Sequence, residues 1–214
     1  MPTPRNHQIK GVLFDFDGTL TKPGAIDFGL IRKKLECPQD KPVLEYIQSL
    51  ATAEQRRHAH SLLADFEIEA ARASKPHEGA EVLVQKIIAC GLPVGIITRN
   101  SRKCIQEALK NFSALDIKNF DPVLTRDDPL KPKPSGEGIR FAAQKWGLAP
   151  AEVLMVGDFV LDIQAGFDAG AMTVLLDNGL ESAFPKLDGD FVIHHLDQLE
   201  DLIGLNRPNN RLQA

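Results

Sequence analysis

Short apolar runs recur along the chain, and longer stretches of helical periodicity separate them. The runs are Gly11-Val12-Leu13-Phe14, Pro93-Val94-Gly95-Ile96-Ile97, Val153-Leu154-Met155-Val156 and Met172-Thr173-Val174-Leu175-Leu176, with weaker ones over 120–125 and 191–194. Near-continuous apolar character, rather than alternation, marks strands buried on both faces of a parallel sheet. Amphipathic segments at 81–89, 103–110, 138–146 and 162–169 lie between them. This order predicts an α/β fold, a doubly wound parallel sheet of Rossmann-like type with right-handed crossovers. In such sheets a ligand sits in the crevice at the carboxyl ends of the strands.

One region breaks the alternation. Between Lys22 and Lys75 no buried strand is evident, and the pattern predicts helices over 28–36, 42–51 and 53–73. Pro23-Gly24 and Lys75-Pro76 punctuate its two ends, as linkers do. The run from Glu54 to His60 reads most simply as a solvated helix face. After Leu205 the polar Asn206-Arg207-Pro208-Asn209-Asn210 predicts a fraying tail.

Composition narrows the class. The 214 residues carry 25 basic and 29 acidic side chains, a net charge of −4, with 43% apolar and 25% charged residues. That is the make-up of a globular protein, and it lacks the basic excess that nucleic acids or anionic membranes demand. Cys37, Cys90 and Cys104 are too far apart for a disulfide framework or a paired zinc site, so incidental thiols are expected. The first residues do not read as a signal peptide, and no apolar run reaches the ~20 residues of a membrane span. A cytoplasmic protein, monomeric or a weak dimer, is the expectation.

Polar residues end the predicted strands. Asp15 and Asp17 follow the first, with Gly18 allowing a tight turn beside them. Two carboxylates so close raise each other's pKa unless a cation is present, and hard oxygen donors favour Mg2+. Thr98-Arg99-Asn100-Ser101 ends the second. Its hydroxyl and amide groups suit an oxyanion cradle and, equally, a plain helix cap. In Lys131-Pro132-Lys133-Pro134 the prolines stiffen the backbone, so a lysine there is either presented to a phosphate or is a solvated loop cation. Asp158 ends a further strand after Gly157, and Asp162 lies one helical turn on, where an aspartate also suits the helix dipole.

In this order the four groups resemble the haloacid dehalogenase superfamily of aspartyl-phosphate phosphotransferases. The matching residues are Asp15-Phe16-Asp17-Gly18-Thr19-Leu20-Thr21, Thr98, Lys131 in its Lys-Pro-Lys-Pro run, and Gly157-Asp158 with Asp162; the likeness covers about residues 9–203. The resemblance implies Asp15 as nucleophile and Asp17 as general acid and base. It implies Mg2+ on the Asp15 carboxylate, the Asp17 carbonyl and Asp158, and a phosphate held near Gly18, Thr98, Arg99, Asn100 and Lys131. Lys131 would balance Asp15 and the phosphate, with Lys133 as its rival, and Asp162 would orient the lysine or a metal-bound water. The implied function is a Mg2+-dependent phosphatase of a small phosphorylated metabolite. A sugar phosphomutase, or a non-catalytic binding module that keeps the fold, is the alternative. Asp17 argues against a true dehalogenase, which lacks the second aspartate. The segment after Thr21 lacks the early histidine of the β-phosphoglucomutase type. Phe159 stands where many relatives have serine.

Spacing places the surplus length. Thr98 to Lys131 is 131 − 98 = 33 positions and Lys131 to Asp158 is 158 − 131 = 27, each close to one strand–helix–strand step of ~30 residues. Asp15 to Thr98 is 98 − 15 = 83, some ~50 more than such a step needs. The expected organisation is therefore a core domain of residues 1–21 and 76–205, a helical cap of 22–75 and a flexible tail of 206–214. Lys22, Arg56, Arg57, His58, His60, Arg72, Lys75 and His77, in or beside the cap, are the cations available to an anionic substrate, most of them expected to face solvent.

Overall fold

The computed structural model describes residues 8–179 and 187–205; the predicted tail lies outside them. Six strands form one parallel sheet: β1 (Gly11–Phe14), β2 (Val94–Ile97), β3 (Val123–Leu124), β4 (Val153–Gly157), β5 (Met172–Leu176) and β6 (Phe191–Ile193). Their order is β3-β2-β1-β4-β5-β6. The chain leaves β1 toward β2 and β3, then crosses back to β4 on the other side of β1. The crevice at the reversal, between the ends of β1 and β4, is where this architecture places a ligand.

Side chains alternate between two cores. Val12, Phe14, Val94, Ile96, Leu154, Val156, Val174 and Leu176 face one layer, with Leu83 and Ile87 of α4 (Ala80–Ala89) and Ile105 of α5 (Arg102–Ala108). Leu13, Ile97, Leu124, Val153 and Met155 face the other. There they meet Ile139, Ala142 and Ala143 of α6 (Glu137–Trp146) and Ala165 of α7 (Val160–Ala169). Burial on both faces is why the strands read as continuous apolar runs.

Three helices fill the strandless region: α1 (Phe28–Leu35), α2 (Val43–Ser49) and α3 (Ala53–Ala73). Their boundaries follow local chemistry. The Asp27 carboxylate accepts from the Leu30 amide at the start of α1, and Glu36 ends it in a left-handed conformation, φ 55°. Pro42 precedes α2. Thr52 and Gln55 exchange side chain-to-backbone bonds of 3.1 and 3.0 Å, a capping box for α3. Ile31, Cys37, Val43, Ile47, Ala59 and Leu63 pack into a hydrophobic cluster separate from the two sheet cores. The connections into and out of this insertion run side by side: Thr21 bridges Pro76, and the Lys22 amide donates to Lys75 O at 2.8 Å.

The predicted strand over 120–125 shrinks to two residues. Asp121 and Pro122 bond to β2 only through the Asp121 amide and the Pro122 carbonyl, since proline has no N–H to extend the ladder. The solvated face over 54–60 holds, with Ala59 alone buried in it. Among the described residues no helix is long and apolar enough to cross a membrane.

Candidate active site

Asp15 is the first residue past β1, and its amide donates to Val156 O of β4 at 2.8 Å. This ties the aspartate to the neighbouring strand that carries Asp158 just beyond its own end. Asp15, Asp158 and Asp162 each bring a carboxylate oxygen within 4.8 Å of the others. Two glycines make the crowding possible. A Cβ on Gly18, φ +87°, would lie 2.0 Å from Asp158 Oδ2, and one on Gly157 would lie 2.2 Å from Asp162 Cγ.

A single ammonium sits among these acids, and it is Lys133. The side chain is 3% exposed, and its Nζ donates to Asp15 Oδ1 and to Asp162 Oδ1, both at 2.5 Å. Burial alone would lower the Lys133 pKa, but the two carboxylates outweigh it and raise it, so the ammonium keeps its proton. Lys131, the lysine preferred from sequence, is not at the site. It is exposed, lies in a separate surface recess with Ser135, Glu137 and Arg140, and its amide faces Glu137. Both lysines precede a proline, but only Lys133 is turned under the ends of β1 and α7 and buried there.

Asp162 is fully engaged. Its other oxygen accepts from the Phe159 amide at 3.0 Å, so it both caps α7 and holds Lys133. Burial pushes its carboxyl up to about 6, against the pull of Lys133. Asp158 is different. It receives one long contact, 3.3 Å, from the neutral amide of Asn178, and burial with Asp15 and Asp162 nearby drives its pKa well above the ordinary range. Asp15 and Asp158 are therefore the carboxylates with oxygens left for a cation, and the all-oxygen donor set suits a hard divalent ion. Asp162, though close enough, already accepts a hydrogen bond at each of its oxygens.

Asp17 points elsewhere, toward the amide of Asn100, which donates to Asp17 Oδ2 at 3.1 Å. Burial first, then the Asp15 charge, pushes the Asp17 pKa up to about 7. Thr98 is buried, and its hydroxyl oxygen accepts from the Asn100 amide, leaving the hydroxyl proton free to donate. Ser101 caps α5, so the cap reading of this turn is realised. Arg99 is turned away from the carboxylates: Nη2 binds both oxygens of Glu45 on α2, at 2.7 and 2.6 Å.

The site opens into a cavity of about 480 Å3 between the strand ends and the insertion. Asp15, Asp17, Gly18, Thr98, Lys133 and Asp158 line its floor; Ile26, Phe28, Val43, Leu44 and Leu63 line its far wall. Of the cations counted from sequence, Lys22 reaches it, and Arg32 joins from α1. Arg57, His58, His60, Arg72 and Lys75 are exposed elsewhere.

Two participants were missed. Asn178 follows β5, a strand end of the kind that flagged the other four groups. Glu67, buried in α3, binds both terminal nitrogens of Arg126 at 2.5 Å, beyond β3. Its place four residues after Leu63 and four before Ala71 put it on the buried stripe of the helix.

Fold and site together define an α/β enzyme with a carboxylate centre at the switch point of its sheet. The chain belongs to the haloacid dehalogenase-like hydrolase family, whose sequence profile matches residues 12–176. It is similar to an uncharacterized hydrolase of Saccharomyces cerevisiae, 30% identical over 95% of this chain and 93% of the relative. It also resembles the phosphoglycolate phosphatase of Escherichia coli K12, 27% identical over 95% of this chain and 96% of the relative. A hydrolase from Pseudomonas syringae shares the fold, with a TM-score of 0.71 at 23% identity over 90% of this chain and 97% of the other.

Proposed function

We propose that this chain is a Mg2+-dependent phosphatase that hydrolyses a small phosphorylated metabolite through an aspartyl-phosphate. The observation that carries this reading is the contrast between two aspartates two residues apart. Asp15 is salt-bridged to a buried ammonium, whereas Asp17 bonds a neutral amide and is pushed up to about 7. One is an ionised nucleophile and the other a proton carrier, the division of labour that unequal surroundings impose on paired acids.

Lys133 holds Asp15 Oδ1, leaving Oδ2 to attack phosphorus. The Asp15 O–P bond forms as the ester P–O bond breaks, and Asp17 gives its proton to the departing oxygen. Asp17, now ionised, takes a proton from water; the water oxygen attacks phosphorus and the Asp15 O–P bond breaks, restoring the enzyme. Thr98 Oγ–H and Lys133 would offset charge on the phosphoryl oxygens. Asp15, Asp158 and the Asp17 carbonyl would hold the Mg2+, which supplies further charge neutralisation when bound. The insertion would act as the cap over the cavity, contributing the far wall that selects the rest of the substrate.

The Escherichia coli relative, a phosphoglycolate phosphatase, supports a phosphate monoester as substrate. The test is release of phosphate from p-nitrophenyl phosphate with Mg2+, with and without EDTA, by wild type and Asp15→Asn. The variant should fold and lose at least about 10^4-fold in kcat. Near-wild-type turnover in Asp15→Asn would overturn the assignment.

A further inference from the structure

Asp158 has a positional problem that its immediate neighbours do not solve. It stands among Asp15, Asp17 and Asp162, all of which repel it, while Lys133 bonds Asp15 and Asp162 and the Asn100 amide bonds Asp17. What points it is Asn178. The Asn178 amide nitrogen donates to Gly18 O at 2.8 Å and reaches Asp158 Oδ2 at 3.3 Å. A carbonyl oxygen can only accept, so the contact with Gly18 fixes which end of the amide faces the site. Oδ1 must then face away, toward His77 Nε2 at 3.1 Å. An amide oxygen needs a donor, so His77 Nε2 is the nitrogen that donates to Asn178, while Nδ1 lies 3.4 Å from Glu78 O.

His77 is not an arbitrary partner. Its own amide donates to Leu20 O at 2.8 Å, one residue after the Thr21–Pro76 bridge joins the two connections of the insertion. The chain Leu20–His77–Asn178–Asp158 thus runs from the root of the insertion to a carboxylate whose bonding partner is a neutral amide.

We propose that Asn178 and His77 are positioning residues for the cation site: Asn178 sets the Asp158 carboxylate against Gly18, and His77 locks the Asn178 amide in the orientation that does so. This rests on the cation reading given above. Hydrogen-bonded groups behind metal ligands commonly set affinity by ten- to a hundredfold, because they hold the ligand in its binding geometry.

The test is a titration of Mn2+ into the full chain without substrate, read by electron paramagnetic resonance of the free ion. The Mg2+ concentration for half-maximal hydrolysis of p-nitrophenyl phosphate is read in parallel. Asn178→Leu, which matches asparagine in branching and number of side-chain heavy atoms, should weaken Mn2+ about tenfold or more. His77→Phe should weaken it severalfold, and His77→Gln, whose amide can donate to Asn178 Oδ1, should stay near wild type. At saturating Mg2+ the KM for p-nitrophenyl phosphate should be unchanged in all three. Wild-type Mn2+ affinity in folded Asn178→Leu and His77→Phe would overturn the proposal. Should Asn178→Leu fail to fold, the His77→Phe and His77→Gln pair decides: equal affinities reject it. A wild type that binds no Mn2+ and ignores EDTA would remove the cation reading and this inference together. A metal-dependent wild type with unmoved variants would remove this inference alone.

Discussion

The floor of the cavity and its far wall are built on different principles. The floor is set by the sheet: Asp15, Thr98 and Asp158 follow β1, β2 and β4, whose registers are fixed by parallel ladders buried on both faces. The far wall belongs to the insertion, which has its own apolar cluster and reaches the strand ends partly through two ion pairs, Glu45–Arg99 and Glu67–Arg126. A site that must hold a phosphorus within tenths of an ångström is served by the first arrangement. A surface that must admit and release different molecules is served by the second. Disturbing the floor should therefore cost turnover, and disturbing the wall should cost binding or stability.

After the loss expected of Asp15→Asn, the largest effect should come from Lys133, the ammonium buried in the floor. Lys133→Met leaves Asp15 and Asp162 facing each other without a counter-charge and takes a donor from the phosphoryl oxygens. Loss of one such donor commonly costs about 10^2- to 10^3-fold in kcat. Lys131→Met, at an exposed position, should keep kcat within about twofold. Steady-state kinetics on both variants checks this, and a reversed outcome would hand the role back to Lys131.

Next is Glu67, where the wall meets the floor at greatest depth. Glu67 and Arg126 have side chains only 7% and 16% exposed, and each is bonded through both of its terminal atoms. Glu67→Leu strands a buried guanidinium, and breaking one side of such a pair costs about 3–5 kcal/mol. Urea unfolding should show that loss. A double variant with Arg126→Met should recover much of it, and no recovery would mean the charge left behind was not the cause.

Gly18→Ala comes third. The new Cβ meets Asp158 Oδ2 at 2.0 Å, and φ +87° is unfavourable for any side chain. The backbone term is about 1–2 kcal/mol, and the displaced carboxylate should raise the Mg2+ needed for half-maximal activity. Thermal unfolding separates the two: a stability loss with an unchanged Mg2+ requirement would show that Asp158 does not need its place beside Gly18.

How legible these regions were follows from the same contrast. The floor was readable because a buried parallel strand leaves a plain apolar run, and whatever polar residue ends it is carried to one edge. Asp15, Thr98 and Asp158 were found that way, and Asn178 after β5 obeys the same rule. The choice between Lys131 and Lys133 was not readable, since both sit before prolines and only the tertiary path of the loop decides which is buried. On the wall, helical periodicity located α1 to α3 to within a residue or two. It did not reveal that Arg99 would be claimed by Glu45, because two residues 54 positions apart share no local pattern.

That claim on Arg99 is the smallest effect and the one that reaches furthest into specificity. The pair is half open to solvent, Glu45 being 41% exposed, so its removal should cost no more than about 1 kcal/mol. Its electrostatic consequence is larger than its stability. Arg99 Nη1 finds no acceptor among the described residues, and Nη2 is committed to a carboxylate that itself repels an incoming anion. Glu45→Gln removes that negative charge while keeping an acceptor, so an anionic substrate should bind more tightly. KM for p-nitrophenyl phosphate should fall by about two- to fivefold at low ionic strength, with kcat held, and the gain should fade as salt is raised. Arg99→Met should move KM the other way. If Glu45→Gln lowered kcat instead and left KM alone, the wall would be acting on the chemistry, and the division between the two regions would fail where they touch.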